Sequence, residues 1–117
     1  MKRDKNHIAE ILDTAAIEAK PTDQISTSQA ISIEDAYEIQ KLSIQRRINR
    51  AEDLMGYKLG FTSKAKMEQM GVHSVIWGRL TSSMELKSGQ EMDLSNFIHP
   101  RVEPEIAFLI SKDISSE

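Results

Sequence analysis

Two glutamates near the C-terminal end of the sequence, Glu103 and Glu105, stand two residues apart at the start of an apolar run. In a β-strand, side chains two residues apart leave the same face, and their Cα atoms lie about 6.5–7 Å apart. Two buried carboxylates this close repel each other unless a cation lies between them. The spacing therefore has two interpretations: a site for a hard divalent cation, or two solvated acids at a strand end.

The composition limits what such a site can bind. The chain has no cysteine, which excludes disulfides, thiolate metal sites and cysteine nucleophiles. Oxygen and imidazole ligands favour magnesium, manganese or calcium over zinc or copper. A cysteine-free chain also suits a reducing cytoplasm.

The charge and hydropathy patterns exclude two classes of partner. The formal net charge of −3 gives no electrostatic basis for binding nucleic acid or an anionic membrane. The charged first residues are followed by no continuous apolar stretch, so we expect neither a secretory signal nor a membrane anchor. At 117 residues, with 39% hydrophobic residues, one domain at most is expected.

Two helices are predicted in the first half of the chain. Apolar residues recur at helical spacing over residues 5–19, and Pro21 ends that pattern. Ser32 offers an N-cap for a second helix that runs to about Asn49. The residues expected to be buried on this second helix are Ile33, Ala36, Tyr37, Ile44 and Ile48.

The second half is predicted to be mostly β. Residues 56–61 alternate between glycines and indicate a strand, and Thr62 or Ser63 caps a short helix that Gly71 ends. Further strands are predicted at residues 80–86, 91–98 and 102–110, with a turn at residues 87–90. The fold class is therefore α+β, divided into a helical segment at residues 1–54 and an incomplete β-rich domain at residues 55–117.

Three blocks of the sequence, in this order, resemble the 2-oxo-acid hydratase and decarboxylase group of the fumarylacetoacetase superfamily. The block at residues 33–40 is similar to an "AY-x-IQ" helix, and the blocks at residues 56–72 and 99–108 are similar to a glycine-flanked lysine strand and a "P-[KR]-[IV]-E-x-E-[IV]-A" metal strand. The resemblance implies that the helices lead into the first half of a mixed β roll of fumarylacetoacetase type. It implies that the chain is only the N-terminal part of that fold.

The same resemblance implies a metal and a catalytic lysine. Glu103 and Glu105 match two of three carboxylate ligands for Mg²⁺ or Mn²⁺, and the third is expected beyond residue 117. Lys58 matches the active-site lysine, and burial is expected to lower its pKa. Without the resemblance, Lys58 is a strand lysine that faces solvent. His99 is given a structural or supporting role, because the family uses carboxylate ligands.

The residues predicted to contact substrate are Thr62, Ser63, Ile76, Trp77 and Arg79. Four of them have a simpler interpretation: helix capping for Thr62 and Ser63, core packing for Trp77, and a solvated charge for Arg79. Lys64 and Lys66 are weaker alternatives to Arg79 for holding a distal carboxylate.

The position of Ile76 separates two reaction types. Hydratases of this group usually carry an aspartate there, which isoleucine cannot replace in proton transfer. The resemblance therefore favours a decarboxylase of 4-oxalocrotonate (2-oxo-3-hexenedioate), a carbon–carbon lyase in which the metal chelates the 2-oxo acid and stabilises a dienolate. The alternatives are a hydratase of 2-oxopent-4-enoate and a truncated non-catalytic relative. The implied setting is cytoplasmic catabolism of aromatic compounds, by a homo-oligomer or a hydratase–decarboxylase complex acting on a small 2-oxo dicarboxylic acid.

Overall fold

The computed structural model describes residues 4–115. Its helices are α1 (Lys5–Glu18), α2 (Ile33–Asn49) and α3 (Lys64–Met70), and its strands are β1 (Leu54–Gly60) and β2 (Ile76–Thr81). The α+β class expected from the sequence is confirmed. The helix bounds and caps agree with prediction: Ser32 and Ser63 accept hydrogen bonds from the backbone N–H groups of Asp35 and Lys66, and Gly71 ends α3 at φ 66°.

Helices α1 and α2 run parallel and form the core. Ile8 and Ala9 of α1 pack with Ile39 of α2, and each is at most 4% exposed. Of the residues predicted to be buried on α2, Ile44 is buried and Tyr37 is half-buried. The prediction was wrong for Ala36, which is exposed, and for Ile33 and Ile48, which are 65% and 37% exposed. Lys5, at the start of α1, pairs with Asp35 and Glu38, so Ile33 lies beyond the end of the neighbouring helix.

A buried ion pair joins the other ends of the two helices. The carboxylate of Asp13 has 1% of its surface exposed, and it accepts hydrogen bonds of 2.7 and 2.8 Å from the guanidinium of Arg50 and one of 3.1 Å from Arg46. The hydrogen bond from Arg50 lowers the pKa of Asp13 most, and Arg46 adds to the effect. These arginines therefore join the end of α2 to α1.

Strands β1 and β2 form an antiparallel pair, the one sheet found within residues 4–115. Lys58 lies opposite Gly78, and Gly60 opposite Ile76. At the base of this pair, the carboxylate of Glu52 accepts hydrogen bonds from the hydroxyls of Thr81 and Ser83. The bond from buried Thr81 lowers the pKa of Glu52 most, so this acid stays ionised and fastens the two strands.

The strands predicted at residues 80–86 and 91–98 are wrong in most of their length. β2 ends at Thr81, and Ser82–Met84 form a 3₁₀ turn. In the second segment, Asp93 accepts hydrogen bonds from the N–H and the hydroxyl of Ser95, and Leu94–Asn96 form another 3₁₀ turn. A local side-chain bond of this kind competes with strand pairing. The predicted turn at residues 87–90 is present, with Gly89 at φ 81°.

The strand predicted at residues 102–110 is also wrong. This described segment is coil, and its apolar side chains are exposed, from 61% at Ile110 to 98% at Leu109. A strand forms only where a second strand pairs with its backbone, and no described strand does so here. Pro104 also lacks the N–H that a paired strand donates.

The described helices include none that is both long and apolar enough to cross a lipid bilayer.

Candidate functional site

Lys58 lies on β1, and its neighbours on the same face of the sheet are glycines. Gly56 and Gly60 lie two residues away on β1, and Gly78 lies directly opposite on β2. A Cβ atom added at Gly56 would meet nothing within 4 Å. Because alternate residues of a strand share a face, these three glycines place no side chain beside Lys58. The space at Gly56 is open, whereas the side chain of Ile76 fills the space at Gly60.

Glu103 and Glu105 converge on the ammonium group of Lys58. The Lys58 Nζ lies 2.5 Å from Glu105 Oε1 and 3.4 Å from Glu103 Oε2. The two carboxylates therefore reach the same point, although the segment that carries them is coil and not the predicted strand. The three side chains are 46–65% exposed, so the site is open to solvent.

The electrostatics of Lys58 differ from the expectation that burial lowers its pKa. The hydrogen bond to Glu105 raises the pKa of Lys58, and Glu103 adds to the increase, since both carboxylates stabilise the charged ammonium. Lys58 is therefore protonated at neutral pH. In this arrangement it can supply a positive charge or a proton, but it cannot serve as a base.

The two glutamates have the donor chemistry of a hard-cation site. Carboxylate oxygens suit Mg²⁺ or Ca²⁺, and an ammonium ion already lies between them. Within residues 4–115, no group of three or more histidine, aspartate or glutamate side chains is placed to hold a metal. His99 is exposed and lies in coil at φ 50°. The described residues thus fit two ligands of a metal site.

Thr62 and Ser63 follow β1 at a sharp change of direction. Phe61 has φ 53°, a left-handed conformation that is uncommon for an aromatic residue and that turns the chain from β1 into α3. Ser63 Oγ accepts a hydrogen bond of 3.2 Å from the N–H of Lys66, so it caps α3. Thr62 is exposed.

The other predicted substrate residues are divided between the two faces of the sheet. Ile76 shares the face of Lys58, and a Cβ atom added at Gly60 would lie 3.1 Å from its Cγ1. Trp77 and Arg79 alternate with Ile76 and Gly78, so they lie on the opposite face. There the Arg79 guanidinium lies 4.7 Å from the centre of the Trp77 ring. The structure therefore brings Ile76, but not Trp77 or Arg79, to the Lys58 face.

Helix α2 binds the outer edge of β2 through two side chains that the sequence analysis assigned no such role. The Gln40 amide donates to Trp77 O at 3.0 Å and accepts from Arg79 N at 3.3 Å. The Tyr37 hydroxyl accepts from Trp77 N at 3.3 Å, and its ring stacks on Trp77 at 4.9 Å. Together they bond the backbone groups of β2 on either side of Gly78, as a neighbouring strand would. The "AY-x-IQ" pattern was the available signal.

Comparisons with known proteins give a consistent result. No family model matches the chain. It is 50% identical over 107 residues to a 4-oxalocrotonate decarboxylase of a Pseudomonas species, which covers 92% of this chain and 42% of that protein. It is 45% identical over 85 residues to a 2-hydroxypent-2,4-dienoate hydratase of Pseudomonas putida, covering 72% of this chain and 38% of the relative.

A solved structure shows the same fold over most of the chain. A 4-oxalocrotonate decarboxylase from Pseudomonas putida G7, complexed with calcium and acetate, superimposes with a TM-score of 0.78 at 30% identity. The match covers 81% of this chain and 37% of that one. The same enzyme was also solved complexed with magnesium and adipate. This chain thus spans less than half the length of the proteins it matches.

Proposed function

We propose that this chain, which is homologous to part of the 4-oxalocrotonate decarboxylases and related hydratases, supplies the lysine and two metal ligands of a decarboxylase acting on a 2-oxo dicarboxylic acid. The observation that carries the proposal is the convergence of Glu103 and Glu105 on the ammonium of Lys58. The proposed setting is the cytoplasm, and the proposed assembly is a homo-oligomer or a complex with a hydratase.

Glu103 and Glu105 would hold a divalent cation, Mg²⁺ or Mn²⁺, together with a third carboxylate outside these 117 residues. When bound, this ion supplies Lewis-acid polarisation of the oxo acid. Calcium and magnesium in the related solved structures support a hard cation. Two carboxylates and water bind such an ion weakly, so the chain by itself is expected to show little turnover.

Lys58 is proposed to act as a charged donor. A lysine ammonium is charged at neutral pH, so it can stabilise negative charge that develops on a substrate oxygen or deliver a proton there. The open space at Gly56 allows a small ligand to approach the Nζ closely.

Ile76 would form the apolar wall on the same face, where poor solvation of a carboxylate favours loss of carbon dioxide. Substrate contact by Thr62 and Ser63 stays a prediction. A role for Trp77 or Arg79 in binding substrate requires a ligand that reaches the opposite face, and we propose instead that these residues stabilise β2.

The hydratase is the second candidate, because relatives with that activity reach 45% identity. In a protein that continues this sequence and supplies the third glutamate, we expect decarboxylation of 2-oxo-3-hexenedioate to be faster than hydration of 2-oxopent-4-enoate. Comparable rates for the two substrates would contradict the inference that Ile76, in place of an aspartate, disfavours hydration.

The metal site is tested in the 117-residue chain by isothermal titration with Mg²⁺ and Ca²⁺. We expect binding weaker than micromolar, and its loss in the double variant Glu103→Gln with Glu105→Gln. The control is Glu85→Gln with Glu91→Gln, which removes the same charge from exposed positions. Equal binding by the two double variants would show that Glu103 and Glu105 do not hold the cation. Micromolar binding by the parent chain would show that the site needs no third carboxylate.

A further inference from the structure

The Lys58 ammonium occupies the point on which the two proposed metal ligands converge. We propose that Lys58 is a resident counter-cation for Glu103 and Glu105, and that a divalent cation displaces it from them. The inference rests on the metal site proposed above and adds an order of events: the cation binds first, and only then is the lysine free for an anionic ligand.

The distances leave little room for both cations. Lys58 Nζ is 2.5 Å from Glu105 Oε1 and 3.4 Å from Glu103 Oε2, so it bridges the carboxylates. Hard cations bind carboxylate oxygens at roughly 2.0–2.6 Å. A divalent ion between the same two side chains would lie within a few ångströms of the ammonium, where like charges repel strongly.

The surroundings of Lys58 permit the side chain to leave. The neighbouring positions on its face are Gly56, Gly60 and Gly78, and its side chain is already 46% exposed. A lysine has a flexible four-carbon stem, so the ammonium can move away while β1 stays in place. Solvent can then take over the hydrogen bonds that the ammonium gives up.

The contact also positions the metal ligands before any ion arrives. It joins β1 to a coil segment 45–47 residues later in the chain, in which Val102 and Ile106 are 93% and 86% exposed. With the ammonium between them, the two carboxylates point to one place without repelling each other. Displacement by a divalent ion exchanges one positive charge for two and keeps them together.

Affinity for a cation tests the competition. We would titrate Mn²⁺ into the 117-residue chain, Lys58→Met and the control Lys64→Met, with water-proton relaxation as the readout. Removing a competing charge at this range is expected to tighten binding at least about fivefold in Lys58→Met, and by less than about twofold in Lys64→Met. Equal or weaker binding by Lys58→Met would overturn the displacement while leaving the metal site intact. No binding by any chain would overturn both.

A geometric readout separates displacement from repulsion at a distance. At fixed pH, we expect a nuclear Overhauser cross-peak between the Lys58 ε-methylene and the Glu105 γ-methylene in the metal-free chain. Saturating Mg²⁺ should abolish it. A cross-peak that persists at saturation would overturn the proposal, even if the Lys58→Met variant bound Mn²⁺ more tightly.

Discussion

Asp13 shows how a single buried carboxylate can fix two helices. Its side chain is 1% exposed, and three hydrogen bonds from Arg46 and Arg50 replace the water that it loses. The arginine side chains are each about 40% exposed, so water can solvate them if the pair breaks. The buried carboxylate has no such access to water and would lose its hydrogen bonds. Charge-assisted bonds of this kind are stronger than neutral ones.

Asp13→Asn is therefore expected to lower the free energy of unfolding by about 2–3 kcal/mol, since the neutral amide loses charge-assisted hydrogen bonds. Urea denaturation at pH 7 measures this loss. The control is Asp23→Asn, which alters an exposed acid in the connector and should change stability by less than about 0.5 kcal/mol. Equal stability of the two variants would contradict a structural role for Asp13.

The same pair predicts a pH dependence. The pKa of Asp13 is lower in the folded than in the unfolded chain, so its contribution is complete above the ordinary aspartate pKa of 3.8 and is lost as the pH falls through the folded value. Unfolding followed between pH 6 and pH 2 should show a steeper loss of stability for the parent chain than for Asp13→Asn. Parallel curves would count against this linkage.

At the scale of the element, the outer edge of β2 depends on helix α2. Gln40 satisfies the carbonyl of Trp77 and the N–H of Arg79, two backbone groups that a neighbouring strand would otherwise pair. An unpaired sheet edge is available to other chains, and a helix that covers it prevents such pairing. The edge of β2 that faces away from β1 is thus bonded by a side chain from the first half of the sequence.

Gln40→Leu should lower the free energy of unfolding by about 2 kcal/mol, because it leaves two partly buried backbone groups unpaired. The matched control is Gln45→Leu, because the side-chain amide of Gln45 donates to the exposed side chain of Asn49. Hydrogen exchange at the amide of Arg79 should also become faster in Gln40→Leu alone. Unchanged exchange at this amide would show that the helix does not secure the strand.

The helices and their ends could be predicted because their signals are local. Ser32, Ser63 and Gly71 act on backbone groups within four residues, and a sequence window contains all of them. The strands predicted at residues 91–98 and 102–110 failed because a strand needs a partner that the window does not contain. Likewise, the spacing of Glu103 and Glu105 was compatible with convergence only through a strand that does not form. Nothing in that spacing pointed to their contact with Lys58, which lies 45 residues before Glu103.

At the scale of the whole molecule, the chain buries less of itself than its length allows. Its accessible surface is 10129 Å², whereas a compact protein of 13.2 kDa exposes about 6,400 Å². Its radius of gyration is 16.0 Å, against about 13 Å for a compact domain of this size. The excess includes the apolar coil of residues 106–110, where Phe108 and Leu109 are 84% and 98% exposed.

Such a surface is expected to drive association of the isolated chain. Contiguous exposed apolar groups normally mark an interaction surface, and burying one large aliphatic or aromatic side chain contributes about 1.5–3 kcal/mol. Sedimentation velocity over a range of concentrations should therefore show self-association. Phe108→Ser with Leu109→Ser should weaken it at least about tenfold.

A matched control distinguishes this segment from exposed apolar surface in general. Ile17→Ser with Ile33→Ser removes two side chains that are 62% and 65% exposed but lie on the helices. If the coil at residues 106–110 is the interface, the helical variant associates as strongly as the parent chain. Equal weakening by both variants, or a parent chain that stays monomeric at its solubility limit, would show that the segment is not the interface. In that case, contact between copies of this chain would not account for the exposed apolar residues after Glu105.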